Sequence, residues 1–502
     1  MNKKCTFALG FILLAAFVWA GGQRTPAQQE KPEVSIMVYV RGAISFENNP
    51  IIQKAEELSG YRLNIEGPPS ANYFDRMQVV MASANVPDLH QNGVGDDFER
   101  FARDGLLADI TDLRLNYPNL MSNLTPEQWE DGRSATTGRI MAMPRSNATD
   151  YWGFVIRQDW LDNLGLSVPS TLEEFAAVAR AFTFDDPNKS GRRDTYGWSF
   201  SRGIWSLGTE FLKTAFGMST HDGFPDWNDE YTVRWLKPGY VPYLTYLRNL
   251  REAGSLDPEW FTQARNAEEE KFLQGRIGML FMSQNGLAAF FDNNPNLSHR
   301  NYTFAAPLIS PVNGERRMAA PPSAWFAFLP SADGDVESAL GFLDWANSEE
   351  GFKLFHFGIQ GVHYNSYNME TRQIDRTAAQ VVQLNIDNHS DFNFANAFMG
   401  RRPLEGGVTP ATQAKFNTEW PAVRAQSRII ELPFVKVPEL TAVRTEVPDA
   451  YARINTMEER YILGEISLAE FETELSRFTG LPVMARAQTA YREFMLNWER
   501  GR

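Results

Sequence analysis

Along this chain, short β-branched runs alternate with segments whose apolar residues recur at helical spacing. Val34–Val40 (VSIMVYV) is almost continuously apolar, the pattern of a strand buried on both faces. Pro50 then opens a helix with Ile51, Ala55 and Leu58 on one face, and Gly60 closes it. A second strand at Arg62–Ile65 precedes a helix over Tyr73–Ala84 with Phe74, Met77 and Met81 inward. Extended structure resumes at Val86–Leu89. Strands alternating with helices at this spacing predict a parallel α/β sheet covered on both faces.

The pattern persists downstream. Ile140–Pro144 and Phe154–Arg157 read as extended. Ser170 and Glu173 form a capping box for a helix carrying Phe175, Val178 and Phe182. Gly239–Ala253 is helical with Tyr243, Tyr246, Leu247 and Leu250 inward, and Arg276–Met282 (RIGMLFM) is another buried strand. Ser338–Phe357 is strongly amphipathic, and Met457–Phe478 holds two helices around Gly464. A chain of 502 residues exceeds one hydrophobic core, so two lobes are expected. Polar junctions at Ser146–Asp150 and Asn293–Arg300 are the expected crossings between them.

The first residues follow another logic. Lys3 and Lys4 precede an apolar run, Phe7–Ala20, that is shorter than the ~20 residues a membrane span needs. This is a signal peptide over 1–20, cleaved after Ala20, with a polar, proline-bearing leader over 21–32. The sole cysteine, Cys5, lies too early for a lipobox, so a periplasmic or extracellular protein without a lipid anchor is expected. The formal charge of −14 becomes −16 once Lys3 and Lys4 are removed. Such acidity disfavours nucleic acid and anionic membranes as partners.

Three landmarks then carry a family resemblance. Phe154–Leu166 (FVIRQDWLDNLGL) with Pro169–Phe175 (PSTLEEF) resembles a stretch shared by the extracellular solute-binding proteins of bacterial sugar ABC importers. Leu247–Glu259 (LRNLREAGSLDPE) with Phe272–Met279 (FLQGRIGM) is similar to the next landmark. Phe342–Phe352 (FLDWANSEEGF) with Gly358–Tyr364 (GIQGVHY) resembles a third. Their order and the length are similar to the large oligosaccharide-binding subgroup of family 1. The resemblance implies the type II periplasmic binding protein fold: two doubly wound α/β lobes, a hinge and a ligand cleft. The lobes expected are 33–146 with 301–395 and 147–300 with 396–502. Implied partners are a carbohydrate, as an oligosaccharide, and the permease subunits of an ABC transporter, with the protein a monomer that catalyses nothing.

Asp186-Pro-Asn188-Lys-Ser190-Gly191-Arg192-Arg-Asp194 matches the first nine positions of an EF-hand-type loop. Asp186, Asn188, Ser190 and Asp194 would offer side-chain oxygens and Arg192 its carbonyl, making a structural Ca²⁺ site; no catalytic cofactor is expected. Position twelve is Gly197, so the usual bidentate glutamate is missing, and a turn that binds nothing is the alternative. Similar loops in the oligosaccharide-binding subgroup favour calcium.

Sugar sites combine aromatic platforms with polar side chains. Trp152, Trp205 and Trp325 stand at a junction or in loops and are platform candidates, whereas Trp160 and Trp345 fall on amphipathic faces and read as packing. Polar candidates follow strand ends, where α/β sheets place ligands: Arg41, Asn92, Arg145 and Asn285. Arg316-Arg317 and Arg401-Arg402 are basic pairs that could meet a uronate, with exposed structural charge as the competing reading.

Enzyme signatures are absent: no H-E-x-x-H, no G-x-S-x-G and no Gly-Lys dipeptide for a phosphate loop. A secreted glycoside-acting enzyme needs only two placed carboxylates, so 62 acidic residues leave that alternative open. A binding protein for a non-sugar solute such as a peptide also stays open, because fold does not fix cargo.

Overall fold

Among the described residues, buried strands form a five-stranded and a four-stranded sheet with two two-stranded ones beside them, and amphipathic helices pack on these. The computed structural model describes residues 31–38, 46–68, 73–83, 85–92, 96–144, 152–201, 203–263, 267–283, 287, 290, 301–320, 327–368, 373–388, 410–433, 435 and 437–500. The chain opens with β1 (Glu33–Met37), α1 (Pro50–Ser59), β2 (Arg62–Glu66), α2 (Tyr73–Met81), β3 (Leu89–Asn92), α3 (Asp96–Arg103) and β4 (Met143–Pro144). Next come β5 (Trp152–Arg157), α4 (Leu172–Phe184), β6 (Tyr196–Trp198), α5 (Tyr240–Glu252), β7 (Ile277–Ser283), β8 (Tyr302–Ala305) and β9 (Arg317–Ala320). After these lie β10 (Ala327–Pro330), α6 (Val336–Ala346), α7 (Glu349–Phe357) and the strands β11 (Ser366–Asn368) and β12 (Gln373–Asp375). The C-terminal part holds α8 (Pro410–Ala425), β13 (Arg428–Glu431), α9 (Pro438–Thr445), α10 (Pro448–Ile462), α11 (Leu468–Thr479) and α12 (Pro482–Arg500).

The first sheet has the order β2-β1-β3-β10-β4 and the second β6-β7-β5-β8, with β9 and β13 forming a parallel pair. Strands β1 to β3 run parallel, as their alternation with helices predicts. Both sheets are nevertheless mixed: β10 is antiparallel to β3 and β4, and β5 is antiparallel to β7 and β8. The cause is connectivity. A strand arriving from the other sheet enters at the edge where its neighbours leave, and therefore runs against them; Ala327 starts β10 opposite Asn92, which ends β3.

Connectivity also corrects a boundary. Tyr302–Ala305 pairs with β5, and Arg317–Ala320 pairs with β13. These strands sit with the second sheet, so the return to the first falls between Ala320 and Ala327 instead of at residue 301. The polar run Asn293–Arg300 precedes a strand of the second lobe.

Local chemistry sets the helix ends. The Asn49 side chain accepts from the amides of Ile51 and Ile52 at 2.9 and 3.2 Å, and Gly60 closes α1 at φ +77°. The cap of α4 is Thr171 with Glu174, one residue beyond the expected Ser170 and Glu173. In α2 the buried face is Tyr73, Met77, Val80 and Met81, while Phe74 is 45% exposed. Tyr73 turns inward because its hydroxyl donates to the Gln91 carbonyl at 2.6 Å and accepts from the Gln91 amide at 3.1 Å. The amphipathic stretch after Ser338 breaks at Asn347, and Ser348 caps α7 through the Gly351 amide.

Two apolar layers cover the first sheet, one around Val34, Ile36 and Phe328 with α6 and α7, the other around Met37, Phe98 and Leu329. The largest cluster joins β5 and β7 to α4, α5 and the helices α9–α12, so the C-terminal helices belong to the second lobe's core. Gly278 in β7 is obligatory there: a Cβ would lie 2.1 Å from the Phe182 ring. Trp160 is buried in this cluster, and Trp345 packs on Phe342 and Phe355. Among the described residues, no helix is long and apolar enough to cross a membrane.

Candidate functional site

Strand ends line up along one edge of each sheet. In the first sheet Asn92, Ala327 and Pro144 stand side by side, and in the second Trp152 pairs with Ser283. Arg41, Arg145, Asn285 and Trp325 lie outside the described residues, in stretches continuous in sequence with β1, β4, β7 and β10. For Trp152 the structure describes the backbone, which opens β5. Asn92 is buried at the end of β3.

Two neighbours of Asn92 were missed by the sequence reading. His90 and Gln91 are fully buried, and among the described residues neither the imidazole nitrogens nor the side-chain amide of Gln91 has a hydrogen-bond partner. Burial pushes the His90 imidazole down to about 3, so it is neutral. An unpaired buried polar group costs about 1–3 kcal/mol, and two sit at the strand end. The available signal was the polar string His90-Gln91-Asn92 inside a strand with both faces covered.

A polar pocket of about 410 Å³ lies in the second lobe. Its walls come from Met218–Asp222, from the turn Arg234–Leu236, from the segment after β13, and from Arg444, Tyr451 and Tyr491 of α9, α10 and α12. Phe224, just beyond Asp222, packs with Ala319 and Leu432, and the Leu432 amide donates to the Ala320 carbonyl at 3.2 Å. The pocket therefore adjoins the carboxyl ends of β9 and β13.

At its centre the Arg234 guanidinium lies over the Trp205 and Trp235 rings, 4.4 and 4.5 Å from their centroids. Trp205 lines the pocket, but its ring is parallel to Tyr240 and its Nε1 donates to Glu458 at 2.7 Å. Its ring is engaged by protein groups, so Trp205 supports Arg234 instead of offering the expected platform. Burial raises the Glu458 carboxyl, against Arg234 and the hydrogen bonds from Tyr240 and Trp205. Asp222, open to solvent in the pocket, is raised by its dense surroundings, while Arg234, Lys237 and Arg444 pull it down. Lys237 is pushed down to about 8 and His221 to about 4, both chiefly by burial. The expected basic pair Arg316-Arg317 is structural, though not exposed at Arg317, which is buried with Asp229 and Glu315 at 3.0 and 2.7 Å. Arg401-Arg402 lies outside the described residues. A larger hollow of about 760 Å³ between α4 and α5 is walled mainly by apolar groups such as Leu172, Phe216 and Val241.

The 186–194 loop winds its oxygens together. Asp186 accepts from the Ser190 and Gly191 amides at 2.9 and 3.0 Å, and Asp194 Oδ1 lies 3.1 Å from Ser190 Oγ and 3.2 Å from Asn188 Nδ2. Positive φ at Asp186, Lys189 and Gly191 makes the loop this tight. These donors fit a hard cation incompletely. A Cβ at Gly197 would meet Ala179 at 2.4 Å, which excludes any twelfth-position side chain, and the Thr195 hydroxyl donates inward to Phe182. Among the described residues no three His, Cys, Asp or Glu side chains gather as metal ligands.

Two mixed sheets, each with its own apolar core and helices, make a two-lobed α/β protein with a polar pocket in its second lobe. The chain belongs to the bacterial extracellular solute-binding protein family, whose model matches residues 46–351. It is 26% identical over 444 residues to the polygalacturonan/rhamnogalacturonan-binding protein YtcQ of Bacillus subtilis, covering 85% of this chain and 84% of that one. It is also 26% identical over 318 residues to the fructooligosaccharide ABC transporter substrate-binding protein FusA of Streptococcus pneumoniae, covering 59% of this chain and 56% of FusA. Among solved structures, S. pneumoniae FusA in complex with kestose superimposes with a TM-score of 0.73 at 16% identity, over 94% of this chain and 100% of that one. The alginate-binding protein AlgQ2 without calcium ion gives 0.70 at 17% identity, over 93% and 98%. The two-lobed α/β binding-protein fold is therefore the fold of this chain.

Proposed function

We propose that this protein captures an oligosaccharide between its lobes and delivers it to the permease subunits of an ABC importer, as a monomer that performs no chemistry on its cargo. The match to a polysaccharide-binding relative across 85% of the chain carries this reading. The polar pocket at the carboxyl ends of β9 and β13 supports it, because a solute held there that also touched the first lobe would stabilise a closed arrangement by its differential affinity. Export through a leader cleaved after Ala20, without a lipid anchor, belongs to the same proposal. So does a calcium ion in the 186–194 loop, which would brace the start of β6, distant from the sugar and taking no part in its recognition.

A thermal-shift screen of the secreted protein against oligosaccharides, with product analysis, tests the reading. A ligand at a hundred times its Kd adds about 2.7 kcal/mol of stability. A raised Tm with the saccharide recovered intact supports capture. Hydrolysis products would replace it with an enzyme, and a shift with peptides alone would change the cargo class.

A further inference from the structure

We propose that the pocket around Arg234 reads a carboxylate on the captured sugar, making the cargo a uronate-containing oligosaccharide. This rests on the saccharide reading above and narrows it. Three observations converge. The first is charge: among the described residues, Arg234, Lys237 and Arg444 line the pocket together with the carboxylate of Asp222, within a chain of formal charge −14. A concave site whose sign opposes that of the whole molecule is a counter-charge site.

The second is the state of the Arg234 donors. Nearby buried cations are engaged by the protein itself. Lys237 donates to the carbonyls of Gly217 and Phe224, Lys213 pairs with Glu210, and Arg317 pairs with Asp229 and Glu315. Arg234 makes no hydrogen bond or ion pair among the described residues, and its Nε is buried without a partner. Glu458, behind Trp205, is coupled to Arg234 by charge, but its oxygens accept their hydrogen bonds from Trp205 and Tyr240, not from the guanidinium.

The third is mounting. Two indoles under the guanidinium fix its plane and strip part of its water, leaving a rigid fork of N–H donors that matches a carboxylate in two-point fashion. The pocket's 410 Å³ lies near the lower bound of small-molecule sites, about 300–1,000 Å³, and suits one end of a sugar chain. Asp222 on the same wall accepts hydroxyl protons and opposes a compact dianion, which favours a sugar acid over inorganic phosphate.

The test is calorimetry on the full secreted protein with trigalacturonate, its methyl ester and the neutral trisaccharide kestose. Expected are at least about 30-fold tighter binding of the acid than of the ester, and loss of that ratio to under about 3-fold in Arg234→Gln, with Arg234→Lys recovering only part because it lacks the fork. The acid–ester comparison on the unaltered protein stands even if a variant fails to fold. Equal affinity for acid and ester, or binding of kestose alone, overturns the inference and leaves saccharide capture intact. An acid preference that survives Arg234→Gln overturns the assignment to this pocket. Binding of no saccharide brings down the proposed function itself.

Discussion

Glu210 and Lys213 face each other one helical turn apart, 3.1 Å between Oε2 and Nζ, with side chains 3% and 0% exposed. Burial pushes the Lys213 ammonium down to about 8. The carboxylate also accepts from the Thr220 amide and hydroxyl at 2.8 and 2.7 Å, so this sealed pair holds the wall that carries His221 and Asp222. Removing one partner by Lys213→Met strands a charge and should cost about 3–5 kcal/mol in urea denaturation. The double variant Glu210→Leu/Lys213→Met should recover most of that loss, because neither charge is then buried alone.

Acid should weaken the fold through its buried imidazoles. Burial pushes His90 down to about 3 and His221 to about 4, whereas an unfolded histidine titrates near 6.5. Below about pH 6.5 the unfolded chain binds protons that the native chain refuses, so stability falls with pH until those lower values are reached. Each imidazole contributes a slope of up to about 1.4 kcal/mol per pH unit. Denaturation midpoints measured between pH 7 and 5 should fall, and His90→Leu should flatten the decline.

The helical periods of α1 and α4 and the apolar run of β7 were readable because each pattern is local. Tyr73 and Phe74 are adjacent aromatics, and period alone did not decide which faces inward; a hydroxyl bonded to the distant Gln91 backbone did. The run Asn293–Arg300 looks like a boundary by polarity, yet the strands on both sides share a sheet. The Arg234 pocket was illegible for a related reason. Its walls combine residues near 220–237 with residues near 435–491, and no spacing in the chain announces that meeting. The sequence ends the strand at Leu89 and leaves Asn92 in the loop after it, whereas β3 runs on to Asn92 and takes His90 and Gln91 into the sheet.

Calcium should raise the Tm of the secreted protein relative to chelator, and Asp186→Ala should abolish the difference, since Asp186 organises the loop through the Ser190 and Gly191 amides. With Gly197 at position twelve the site has fewer oxygens than a complete loop and should bind weakly. Identical melting curves in calcium and chelator would remove the ion from the proposal.

Gly278→Ala should cost about 1–3 kcal/mol or more, because the added methyl drives into the Phe182 ring and Trp160 has no slack behind it. The effect is steric overpacking, so Phe182→Leu in the same chain should return part of the stability, as a double-mutant cycle by thermal denaturation would register.

The Gly223 amide donates to the Tyr491 hydroxyl at 2.8 Å, so α12 closes a wall built some way upstream in the chain. A polypeptide emerging N-terminus first presents Trp205 and Arg234 long before Tyr491 exists. Recognition competence is thus a property of completed synthesis: a shortened chain could form the first sheet and still be blind to its cargo.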